Sequence, residues 1–202
     1  MKSRKNILAI TMLTALAAPT FAQESATQRD EAKDTATDAR QQQRIEQGLK
    51  SGALTDQEAA RLEKDEARVQ KMETRDERNG KISSAEQKRI DEAQQKVSKD
   101  ISAQKHDAQT DADPDSASNK RMESDVARDM RQDKRIEQGV KSGALTTNEA
   151  SRLEKGEASD ERAEGKAGAS GGINAKEQRR IARAETRQSK RIHKEKSNGK
   201  TQ

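Results

Sequence analysis

Residues 44–64 read RIEQGLKSGALTDQEAARLEK and residues 135–155 read RIEQGVKSGALTTNEASRLEK, so 17 of 21 positions match at an offset of 91. The offset continues without a gap. Gly80 and Ile82 pair with Gly171 and Ile173, Arg89-Ile90 with Arg180-Ile181, and Ile101 with Ile192. A duplicated unit of this length sets the architecture before any local pattern is read, because each copy must form the same elements and the copies can bury surface on each other.

Each unit carries helix punctuation. Ser51-Gly52 ends a first helix that holds Ile45 and Leu49, and Thr55 with Glu58 opens a second through a capping box, in which each residue satisfies a free backbone donor of the other. A third helix opens at Ser83-Ser84-Ala85-Glu86. The second unit repeats both starts, with Thr146 and Glu149, then Asn174 and Glu177. The fold class read from these signals is all-α, as two tandem three-helix units with antiparallel hairpins over about 55–77 and 83–105 and partly disordered termini and linker. Ile90, Ala93, Val97 and Ile101 share one stripe and Leu62, Val69 and Met72 another, which predicts a narrow seam like that of a coiled coil. In the second unit Asp160 and Ala163 stand where the first has Val69 and Met72. With the glycines of 165–172 these predict a frayed helix.

Lys2, Arg4 and Lys5, an apolar run from Ile7 to Ala18 and small residues before Gln23 form a signal-peptide pattern over residues 1–22, too short for a spanning anchor. It predicts export to the periplasm, with secretion as the alternative. Residues 23–35 are expected to be disordered, 36–106 to form the first helical unit, 107–119 (DAQTDADPDSASN) an acidic linker or hinge around Pro114, and 120–202 the second unit with a basic C-terminal helix.

Composition narrows the function classes. Of 41 Lys and Arg, three lie in the leader, which leaves 38 against 36 Asp and Glu, a net charge of +2. The chain has no Cys and two His, His106 and His193, which do not occupy equivalent repeat positions. No nucleophile motif or phosphate-binding glycine loop appears, so an enzyme is not expected, and no cofactor is implied. Scarce aliphatics predict a marginal unit that needs the other unit, self-association or an unknown protein client, with Leu62, Val69, Ile90, Val97 and Ile101 as contact residues. Ten Lys or Arg against three Glu between Lys176 and Lys200 offer a patch for an anionic envelope surface. Without aromatics for base stacking, nucleic acid ranks lower.

With Gly80 at the sixth position of a calcium loop, Ile82 falls at the eighth and Glu86 at the twelfth. Arg75, Glu77 and Asn79 then stand at the first, third and fifth. The turn resembles a decayed EF-hand, which makes Asn79 and Glu86 weak candidate metal ligands. The repeat string, its Asn79-Gly80-Lys81-Ile82 turn and the SAEQKRI helix resemble a group of uncharacterised exported proteins of Gram-negative bacteria. That resemblance implies a periplasmic address and a helical repeat. Leu54 to Glu58 is similar to the LTxxQ motif of Spy-type periplasmic chaperones, with Glu58 in place of the final Gln, and the hairpin resembles the SHOCT oligomerisation module. Together these favour a non-catalytic interaction protein, chaperone-like or protective under envelope stress. The alternatives are a divalent-cation binder using its degenerate EF-hand-like turns and a polyanion or lipid-surface binder using the last helix.

Overall fold

The computed structural model describes residues 26–76 and 81–199. They form α1 (Ala26–Ser51), α2 (Asp56–Asp76), α3 (Ser84–Lys105), α4 (Ala117–Lys141), α5 (Thr147–Gly168) and α6 (Ala175–Lys196), with no strand among the described residues. The leader lies outside them. All four capping boxes form, the first of them with the Thr55 amide donating to Glu58 Oε2 at 2.9 Å and the Glu58 amide to Thr55 Oγ1 at 3.3 Å.

The repeat is realised as pseudo-two-fold symmetry. Arg44 donates to the Ser98 hydroxyl and carbonyl at 2.6 and 2.9 Å, and its counterpart Arg135 to those of Ser189 at 2.7 and 3.1 Å. Lys105 reaches the Arg44 carbonyl as Lys196 reaches that of Arg135. The most extensive packing joins α1 to α4 and α2 to α5, each helix to its own repeat counterpart. Gln28, at the start of α1, donates to the carbonyl of Val140 near the end of α4, so that pair runs antiparallel. This is the geometry of an isologous dimer interface inside one chain. The four helices make the centre, α3 flanks α1 and α2, and α6 flanks α4 and α5.

Gly48 lets the α1–α2 turn close. A Cβ there would lie 2.5 Å from Leu54 Cδ1, and Gly139 stands in the same relation to Leu145. Both leucines are fully buried.

Apolar packing gathers toward the two ends. One cluster joins Ile45, Leu49, Leu54, Leu62, Val97 and Ile101 to Met122, Val126, Ile173 and Ile181, and a smaller one joins Ile136, Val140, Leu145, Leu153 and Ile192 to Ala32.

Four expectations are corrected. Residues 26–35, expected to be disordered, are the first turns of α1, because Gln28 and Thr35 find partners on α4 and α5. The linker over 107–119 is no free hinge: the Asp111 amide donates to the Gly52 carbonyl, Asn119 to Asp111 Oδ2, and the last three residues belong to α4. α5 does not fray early, since Gly165 and Gly168 let it lie close on α2. A Cβ at Gly165 would come within 2.6 Å of Lys64 Cγ. Finally, Leu62, Val69, Ile90, Val97 and Ile101 are interior, each 3% exposed or less, and so are not a surface for a partner.

A buried carboxylate cluster as a candidate metal centre

Heptad-spaced positions of the central helices point inward, as in any helical bundle. Here the middle rungs are acidic or amidic. α5 buries Glu154, Glu157, Glu161 and Glu164 at spacings of three and four, α2 buries Glu63, Glu66, Gln70 and Glu73, α4 buries Asp125, Asp129, Gln132 and Asp133, and α1 buries Asp34, Asp38, Gln41 and Gln42. Lys and Arg have stems long enough to carry their charge to water, whereas Asp and Glu do not. The interior is therefore rich in carboxyls while most Lys and Arg side chains lie outside.

Two groups bring ligand oxygens within 4.8 Å of one another: Glu63, Asp129 and Glu164, and Asp125, Glu164 and Glu185. All are buried, and Glu164 belongs to both. In the first group, Glu63 Oε2 accepts from Gln42 at 3.1 Å. Asp129 and Glu164 share a carboxyl–carboxyl hydrogen bond, and no donor from outside the group reaches them or Glu63 Oε1. In the second, Arg128 forms ion pairs with Glu185 and Asp125, and Gln178 donates to Asp125 at 2.7 Å.

Burial pushes these acids up. Glu63 rises to about 8 through desolvation, against the lowering hydrogen bond from Gln42 and with a smaller push from the Asp125 charge. Asp129 and Glu164 lie well above the usual carboxylate range, again from desolvation and then from adjacent carboxylates. Desolvated carboxylates this close repel each other when ionised, so protons or a cation must neutralise them. Oxygens within 4.8 Å suit one hard cation, since ligands on opposite sides of an ion at ~2.4 Å lie about that far apart. All-oxygen donor sets favour Ca²⁺, Mg²⁺ and Mn²⁺ over soft metals.

The repeat places an equivalent cluster, Asp38, Glu73 and Glu154, across the pseudo-axis. Gln94 donates to Asp38 Oδ1 at 3.2 Å and Glu73 Oε1 at 3.0 Å, and Thr35 donates to Glu154 at 2.6 Å.

The expected ligands fall elsewhere. Glu86 is a helix cap, accepting from the Ser83 amide at 2.8 Å, and these bonds hold its carboxyl below the usual range. Asn79 lies outside the described residues. Arg75, at the loop's first position, pairs with Asp76 at 2.8 Å. His106 and His193 are exposed. Sequence reasoning gave the central acids no role and so missed the cluster. Their heptad spacing in line with Ile45, Leu49, Ile136 and Val140 was the signal available. No family model matches the chain, and neither a curated protein nor a solved structure matches it.

Proposed function

We propose that this is an exported, non-catalytic helical protein that takes up a hard divalent cation inside its bundle, with binding coupled to folding. The observation that carries the reading is the buried group of Glu63, Asp129 and Glu164, whose facing oxygens meet no donor from outside the group apart from Gln42. A divalent ion would neutralise two of three charges there and stabilise the native state by mass action. The chain would then serve the envelope as a cation-dependent protective or buffering protein, and the periplasmic address follows from the leader pattern.

The test is equilibrium dialysis of chelator-treated protein against Mn²⁺ and Ca²⁺, with thermal melts followed by circular dichroism. Binding with a raised midpoint is expected, and loss of binding in Glu63→Gln/Asp129→Asn/Glu164→Gln. Absence of bound metal and an unchanged midpoint would overturn the proposal.

A second reading is favoured by the outer face of α6, where eight Lys or Arg between Lys176 and Lys194 are exposed. That face suits an anionic lipid surface, and liposome binding that weakens with salt would support it.

A further inference from the structure

The two carboxylate clusters are equivalent by repeat but not by chemistry. Glu63, Asp129 and Glu164 correspond at the offset of 91 to Glu154, Asp38 and Glu73, with the two units exchanged. The position that overlooks each cluster is Gln94 from α3 in one and Glu185 from α6 in the other. Both side chains are buried, at 4% and 0% exposure.

Gln94 gives its cluster a donor that the other half does not have, while no donor from outside the cluster reaches Asp38 Oδ2 or Glu154 Oε2. Its single amide nitrogen reaches Asp38, Glu73 and the Asp34 carbonyl at 3.2, 3.0 and 3.2 Å. Thr35 covers Glu154. Both of these donors are lost at the equivalent positions, where Glu185 and Val126 stand. Glu185 brings an acceptor where the other half has a donor, and its oxygen lies within 4.8 Å of ligand oxygens of Asp125 and Glu164. Glu164 and Asp129 are fully buried and share a carboxyl–carboxyl hydrogen bond, and no donor from outside the pair reaches them.

Resting on the cation-binding reading above, we infer that the chain holds one hard divalent cation, at Glu63, Asp129 and Glu164 in the cluster overlooked by Glu185. The cluster overlooked by Gln94 is closed to metal by that amide. Arg128, paired with Glu185 and Asp125, neutralises the adjoining group. Its counterpart in the other half is Thr37, so the half sealed by an amide has no matching cation. The position shared by Gln94 and Glu185 therefore decides which half takes metal, acting on the ligand carboxylates as a positioning residue.

The probe is Mn²⁺, followed by titration calorimetry and by the loss of its free-ion electron paramagnetic resonance signal, on the full chain after chelator treatment. Wild type should bind one Mn²⁺ per chain. Glu185→Gln places an amide over Asp129 and Glu164 and should weaken binding by about 10- to 100-fold, the usual effect of changing a group that orients ligands. It takes one ion-pair partner from Arg128, which keeps Asp125, so far-ultraviolet circular dichroism first checks that the variant is folded. Gln94→Glu should raise the stoichiometry to two. Should Gln94→Glu fail to fold, Glu185→Gln decides alone. Wild-type protein that binds two ions, or Glu185→Gln that binds as tightly as wild type, overturns the asymmetry while leaving cation binding intact. No Mn²⁺ uptake by wild type overturns both.

Discussion

A cation-free bundle with this interior should be most stable in acid, opposite to the usual behaviour of proteins whose carboxylates are paired. Asp34 and Glu154 give the magnitude without recourse to the candidate ligands. Both are buried, and desolvation pushes each up to about 7, from 3.8 and 4.5. A carboxyl whose folded pKa is raised binds its proton more tightly in the native state. Its contribution is complete below the unfolded pKa near 4 and is lost as pH climbs through 7. At about 1.4 kcal/mol for each pKa unit, full ionisation costs the fold roughly 4 kcal/mol at Asp34 and roughly 3 kcal/mol at Glu154. Asp38, Glu66, Asp133, Glu157 and Glu161 shift in the same direction. A typical domain has only about 5–15 kcal/mol in total. The assay is urea unfolding followed at 222 nm in chelator at pH 4.5, 6, 7.5 and 9. With a slope of about 2 kcal/mol/M these two groups alone should lower the midpoint by roughly 3 M urea across the range. A midpoint that stays level or rises with pH would refute the argument that these carboxyls are desolvated in the native state.

Other outcomes follow from local geometry. Gly139→Ala forces a Cβ to within 2.5 Å of Leu145 Cδ1. The helix-propensity gain of about 1 kcal/mol should be outweighed by overpacking of about 1–3 kcal/mol, which the urea midpoint reads. Thr146→Ala removes the α5 cap and should cost about 1 kcal/mol, seen as a lower melting temperature. Ile101→Ala should destabilise by about 2–5 kcal/mol in urea unfolding, because the side chain is fully buried. Truncation after Ala175 removes Ile181 and Ile192 from the core, so it should lower helicity by circular dichroism well beyond the loss of α6 itself.

The helices were legible because their starts are written locally: Thr55, Ser83, Thr146 and Asn174 each stand three residues before a Glu, and all four boxes form. The pairing of units was half legible. The repeat predicted equivalent folds and named the other unit as one route to stability, yet nothing local says that α1 meets α4. The acidic interior was hidden by a sound rule, that Asp and Glu face water. At Asp38, Asp129, Glu157 and Glu161 the heptad periodicity decides the facing, since the same stripes bury Ile45 on α1, Ile136 on α4 and Leu153 on α5 within about two turns. Glycines misled in the same way. Gly165 reads as a helix breaker, and it serves as the gap that admits α2.

The pairing of each helix with its own counterpart has an evolutionary corollary. A lone three-helix unit already carries the surface through which two identical copies could assemble, and in such a homodimer any substitution appears on both sides at once. Joining the copies in one polypeptide lifts that constraint. Gln94 and Glu185 are a divergence that only the tandem arrangement permits, one half free to specialise while its twin keeps the shared architecture standing.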